Sequence, residues 1–277
     1  MPKLSSEEHI AALYATLARA WGRQHWWPAK SRFEVIVGAY LTQNTSWRNV
    51  EIALRNLRAA RVLSVDGIRN ISLSQLERLI RSSGYFRQKA RKLKTFVKFL
   101  DRRYSGSLNK MFAQPVEKLR AQLLSLNGVG PETADSILLY AGQHPVFVVD
   151  AYTRRIALRH GISSEKASYE DLRALFERAL IQAELIQFPG VDPSLRASAR
   201  GYMGRVEADV HARASNSLGS AAHPPSRMSL ARRPPLAQVF NDMHGLIVSV
   251  GKQYCLKSKA RCEECPLRVL LPNPQTC

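Results

Sequence analysis

The 277-residue chain is poor in acidic residues, in cysteine and in long apolar runs. Aspartate and glutamate number 22 against 41 lysines and arginines, a formal net charge of +19. That imbalance says nothing about fold, but it predicts a polyanionic partner. No apolar stretch reaches the length of a membrane span. Surface attachment to a membrane would need cations on one face of a Trp- and Leu-rich helix, and none is found. The first residues, Met1-Pro2-Lys3-Leu4-Ser5-Ser6-Glu7-Glu8, lack the basic-then-apolar order of a secretory signal, so a cytoplasmic location is expected. All four cysteines lie in the last 23 residues, and in the cytosol disulfides are disfavoured. Period-two alternation and hairpin signals are also missing, which leaves an all-α fold.

What the chain does contain is helical periodicity bounded by caps. Ser5 with Glu8 forms a capping box ahead of Ile10, Leu13, Tyr14 and Leu17, in a helix that should stop near Trp21-Gly22. Ser31 with Glu34 opens a second helix, which ends at Thr42-Gln43-Asn44. Ser46 is expected to cap a third, and Ser74 with Glu77 a short one. A basic helix spans Arg87 to Tyr104, and Pro115 opens another. Further helices are expected over Tyr152–Arg159, Tyr169–Ile181 and from Leu236 through Val250. Residues 189–235 differ: glycine, proline, serine and arginine abound while large apolar residues are sparse. Such a segment cannot bury enough surface to offset its chain entropy, so it is expected to be a mostly disordered basic insertion, with a weak helical pattern over 196–213.

The most informative stretch is Leu124-Ser125-Leu126-Asn127-Gly128-Val129-Gly130-Pro131-Glu132-Thr133-Ala134, running on through Leu138. Helical spacing is broken by Gly-Val-Gly and resumes at once. Glycine permits backbone angles that a side chain forbids and lets the main chain approach another molecule. Pro131 suits the first helical position, where its missing N–H costs nothing. Free amides and the helix dipole at that new N-terminus favour an anion. On this basic chain a nucleic-acid phosphate is the expected one. A tight turn between packed helices would use the same glycines.

Followed by Pro145-Val146-Phe147-Val148-Val149-Asp150, this stretch resembles the helix-hairpin-helix DNA glycosylases of the endonuclease III superfamily, whose signature reads L-x-G-V-G-x-x-T-A and then V-D. Trp26-Trp27-Pro28, Leu41-Thr42-Gln43-Asn44-Thr45, Ser83-Gly84-Tyr85-Phe86 and Gln88-Lys89-Ala90 look like the 3-methyladenine DNA glycosylase III branch. The resemblance implies two helical lobes with double-stranded DNA in the cleft: a six-helix lobe over 31–144, with its hairpin at about 117–142, and a second lobe from 1–30 and 145–277. It also implies a monomeric base-excision repair enzyme, associated with the nucleoid through its DNA.

The implied roles can be read residue by residue. Breaking a base–sugar bond builds positive charge on the sugar, which a nearby carboxylate stabilises. Asp150 matches the family's V-D aspartate, although aspartate at this place also reads as a helix N-cap. Two residues after the Gly-Val-Gly, bifunctional members carry a lysine that forms a Schiff base with the sugar. Here stands Glu132, which implies a monofunctional hydrolytic glycosylase. Trp26, Trp27 and Trp47 match the aromatics that sandwich a flipped base, and a cationic alkylated purine would gain cation–π attraction there. Core packing is the ordinary alternative for tryptophan. Gln43 matches the residue that fills the gap left by the extruded nucleotide, unless it is simply an exposed helix end. Asn127, Gly128, Val129, Gly130 and Thr133 match the hairpin's DNA contacts, and Lys252 aligns with a pocket lysine or is a solvated one.

Cys255, Cys262, Cys265 and Cys277 are spaced C-x6-C-x2-C-x11-C in the tail 255–277. Relatives of endonuclease III use C-x6-C-x2-C-x5-C to hold a 4Fe-4S cluster. The first three positions match, while Leu271 stands where the fourth ligand should be. A cluster completed by Cys277, a zinc site and unligated thiols all remain open. The competing functions are a bifunctional glycosylase/AP lyase and a non-catalytic helix-hairpin-helix protein that only binds DNA.

Overall fold

The structure, a computed structural model, describes residues 4–187 and 223–272, with side chains except at 184–187. The described residues are helical and turn, with no strand. The helices are α1 (Ser6–Trp21), α2 (Arg32–Thr42), α3 (Trp47–Ala59), α4 (Val65–Asn70), α5 (Leu73–Leu79), α6 (Phe86–Tyr104), α7 (Leu108–Phe112), α8 (Val116–Leu124), α9 (Pro131–Ser136), α10 (Ala151–Arg159), α11 (Tyr169–Gln187) and α12 (Pro235–Gln253). None is long and apolar enough to cross a membrane. Ser5 and Glu8 complete their capping box as expected. At α2 only half of the box forms: Ser31 accepts from the Glu34 amide, whereas the Glu34 carboxylate turns to the Lys30 amide and to Arg58. The cap of α5 is Ser72 with Gln75 rather than Ser74 with Glu77, because the earlier pair satisfies two orphan donors and starts the helix two residues sooner.

The chain divides into two compact units. One comprises residues 27–144 with 226–231. It is built on α2, whose residues from Phe33 to Leu41 are all buried, including Glu34 through its pair with Arg58. Helices α3, α6 and α9 surround it, and α9 continues into a single π turn over Ile137–Ala141. The other unit takes the described residues of 1–26, 145–225 and 232–277. Its core gathers Ile10, Leu13, Leu17, Phe176 and Phe240 around Phe147, whose ring stacks on Phe176 at 4.9 Å and meets Phe240 edge-on at 5.8 Å.

The expectation of disorder through 189–235 fails at its C-terminal end. Residues 223–234 form turns and an extended stretch, Met228 and Ser229 are buried, and Pro235 begins α12. Backbone and hydroxyl hydrogen bonds supply there what apolar content did not. The helical pattern over 196–213 lies outside the described residues.

Candidate active site and nucleic-acid interface

Asp150 is the N-cap of α10 and closes a capping box with Thr153. Its Oδ1 accepts from the Thr153 amide at 2.8 Å and from the Thr153 hydroxyl at 3.0 Å. Oδ2 points instead to Nε2 of His244 on α12, 3.6 Å away. The Asp150 side chain is 13% exposed and that of His244 5%. Burial holds the His244 imidazole below its ordinary pKa, with Asp150 pulling the other way. The cap and the functional reading of Asp150 are therefore compatible. One oxygen is used by the helix, which fixes the carboxylate, and the other faces a buried ring.

In the same unit Trp26 and Lys252 meet. The Lys252 ammonium lies 5.5 Å from the Trp26 ring, a cation–π contact, and the His223 ring packs 5.2 Å from the same indole. Trp27, the next residue along the chain, belongs to the other unit. Its ring meets Trp47 edge-on at 5.2 Å and Tyr140 at 5.1 Å. Glycine at 38 allows this seat, since a Cβ there would lie 3.2 Å from the Trp27 indole. Trp47 donates its indole N–H to Glu51 at 2.9 Å. Trp26 thus contacts Lys252 within one unit, and Trp27 contacts Trp47 within the other.

Gln43 caps α2 and reaches the hairpin joining α8 and α9. Its Nε2 donates to the Gly128 carbonyl at 3.0 Å and to the Thr133 hydroxyl at 2.9 Å. Its Oε1 accepts from Lys92 of α6 at 2.8 Å. Gly128 has φ +81°, so the backbone angle favours glycine, and the end of the Lys92 side chain lies close over it. Gly130 needs no positive φ; it is the N-cap of α9 and has open space around it. Asn127, Gly128 and Gly130 are exposed, while Val129 and Thr133 are buried. Glu132 is exposed in the first turn of α9. The arms of the hairpin are clamped by Arg120, which grips Asp135 with two hydrogen bonds of 2.7 and 3.0 Å; Asp135 is fully buried.

Several residues were given no individual role by sequence reasoning, though Tyr85 and Lys89 belong to motifs quoted above. His244 is hidden in the apolar periodicity of α12, and Lys92 in the charge run of α6. Tyr85 is 66% exposed and sits at φ 45°, an uncommon place for a bulky side chain, beside Phe86, which is flanked by the guanidiniums of Arg81 and Arg87. The cue available was a tyrosine directly after Gly84. Buried Lys89 donates to the carbonyls of Leu41 and Ser83, and burial with Lys92 nearby lowers its pKa to about 8. It ties the end of α2 to the start of α6.

Cys255, Cys262 and Cys265 line one small cavity with Arg159, Tyr254 and Leu271. Arg159 donates to the Cys255 sulfur at 3.1 Å, and burial pushes the Cys265 thiol up to about 12. Cys255 and Cys265 are free thiols. Cys277 lies outside the described residues. Among the described residues no group of three or more His, Cys, Asp or Glu side chains is arranged to hold a metal ion. Three cysteines line this one cavity, and Leu271 stands where the family spacing would put the fourth.

A helix–hairpin–helix tied to Gln43, on a strongly basic all-α chain, is the arrangement expected of a helical DNA repair protein. Residues 37–181 match the profile of the HhH-GPD superfamily of base excision DNA repair proteins. A Methanocaldococcus jannaschii protein provisionally named a DNA repair glycosylase is 36% identical over 94% of both chains. Among solved structures, the H. pylori 3-methyladenine DNA glycosylase bound to 1,N6-ethenoadenine is 27% identical, with a TM-score of 0.63, over 92% of this chain and all of that one. A trapped endonuclease III–DNA covalent intermediate shares the fold at TM-score 0.65 and 18% identity, over 99% of each chain. This chain belongs to the HhH-GPD superfamily of base excision DNA repair proteins and is a DNA repair glycosylase.

Proposed function

We propose that this protein is a monofunctional glycosylase that hydrolyses the N-glycosidic bond of an alkylated purine in double-stranded DNA. The observation that carries the reading is the Asp150 carboxylate, fixed by its cap and largely withdrawn from water. Held rigidly in a poorly solvated place, one carboxylate stabilises an oxocarbenium-like sugar far better than the same group in water. Hydrolysis without strand cleavage follows from Glu132, since a carboxylate forms no imine.

The hairpin backbone at Asn127, Gly128, Val129 and Gly130, with Thr133, grips a phosphate, and Gln43 occupies the space vacated by the extruded nucleotide. Trp27 and Trp47, with Trp26 and Lys252, serve the base; aromatic faces suit a cationic ring. The likeness to a 3-methyladenine glycosylase supports the choice of lesion. Cys255, Cys262 and Cys265, with Cys277, would hold a 4Fe-4S cluster. Such a cluster staples the tail and supplies no chemistry to base release. The protein acts as a monomer.

The test incubates the protein and its Asp150→Asn variant with duplexes carrying alkylated, oxidised or mismatched bases, with and without borohydride. Free alkylated purine from the wild type alone, with no trapped adduct, is the expected result. A borohydride-trapped adduct would establish a lyase, and an inert wild type that still binds DNA would leave only a binding role.

A further inference from the structure

Part of the segment expected to be a mostly disordered insertion is tied to the turn at Trp27. Residues 226–231 group with the unit of Trp27 and Tyr140, although the chain on both sides of them groups with the other unit. This strap lies on the backbone of Trp27-Pro28-Ala29. The Ser226 hydroxyl donates to the Trp27 carbonyl at 3.2 Å and accepts from the Ala29 amide at 3.3 Å. It also accepts from the Ser229 amide at 3.1 Å, so its one proton and both lone pairs are used. Buried Met228 adds a backbone bond from its amide to the Ala29 carbonyl at 3.1 Å. The turn is itself tight, with the Ala29 amide also donating to the Trp27 carbonyl at 2.9 Å.

We infer that the strap 226–231 is a specificity-determining element: it fixes the Trp27 peptide and thereby sets where the Trp27 ring stands against the base. The inference rests on the base-pocket reading of Trp27 given above. Its physical basis is leverage. A side chain leaves its backbone in a direction set by the peptide, and the Trp27 carbonyl is held by two donors, one from about 200 residues away. The ring's far side is already confined by Gly38, Trp47 and Tyr140. The backbone is therefore the remaining freedom through which the ring can shift. A displacement of about 1 Å in a positioning group costs on the order of 100-fold in rate, and unequally for bases of different outline. A segment that merely covered the core would not have to spend a hydroxyl on both sides of this one peptide.

The test uses the full chain and compares wild type, Ser226→Ala, Ser226→Thr and Trp27→Ala. Hydrogen exchange is followed across residues 24–33, and excision is compared on duplexes holding 3-methyladenine or 1,N6-ethenoadenine. Ser226→Ala should speed exchange in that peptide about tenfold and change the excision ratio of the two bases about tenfold, with the melting temperature within 3 °C. Ser226→Thr, which keeps the hydroxyl, should restore both readouts. Wild-type exchange in Ser226→Ala, or faster exchange with an unchanged base ratio, would overturn the inference while Trp27→Ala remained defective. Undiminished excision by Trp27→Ala would instead sink the pocket reading and the selectivity claim with it.

Discussion

Asp150 gives the sharpest prediction at the scale of one residue. Asparagine keeps the shape and the cap acceptor but removes the charge. Asp150→Asn should therefore lower single-turnover base release by about 100- to 1,000-fold while DNA affinity stays within threefold, measured by product formation and fluorescence anisotropy. His244 faces the oxygen that the cap leaves over. His244→Phe should slow base release about tenfold without changing DNA affinity, because the carboxylate loses its neighbour and the helix does not lose its cap. Glu132 tests the reaction type from the other direction. Its exposed place in the first turn of α9 tolerates substitution, so Glu132→Lys should fold, and a new borohydride-trapped adduct is the expected gain.

Within the helical elements, the hairpin depends on one ion pair. Asp135 is fully buried and Arg120 nearly so, and a charge left behind by removal of its partner is costly. Asp135→Asn should lower unfolding stability by about 3 kcal/mol in urea, with a larger loss of DNA affinity than the hairpin's own contacts explain. Helix boundaries were readable where a local signal decides them, as at Ser5 with Glu8 or at Pro131. They were less readable at α5, where two serines compete and the better pair with a glutamine wins. Short α4 and α7 carry too few turns to show a period. The roles of Gln43 and Lys92 are legible only once α2, α6 and the hairpin are seen to converge, since the three segments are 49 to 90 residues apart in their hydrogen bonds.

For the whole molecule, the net charge of +19 makes DNA affinity fall steeply with salt. Acid stability is the second property at this scale. Burial lowers the His160 pKa to about 4, so the native state binds that proton later than the unfolded chain, whose histidine titrates near 6.5. The contribution is complete above about pH 6.5 and is lost as pH falls through 4. The melting temperature should therefore decline over that window, and His160→Gln should flatten the decline; the full swing is about 3 kcal/mol.

The helical class, the hairpin and the positions of Asp150 and Glu132 were determined by the sequence itself, because caps, apolar period and Gly-Val-Gly act over a few residues. The likeness to the glycosylase family extended that reading to Gln43 and the tryptophans. Only tertiary structure decided that Asp150 faces His244, that adjacent Trp26 and Trp27 serve different units, and that Ser226 clasps the Trp27 turn. Those contacts join residues up to about 200 positions apart, and no local propensity encodes a hydrogen bond whose two ends meet only after the helices have packed.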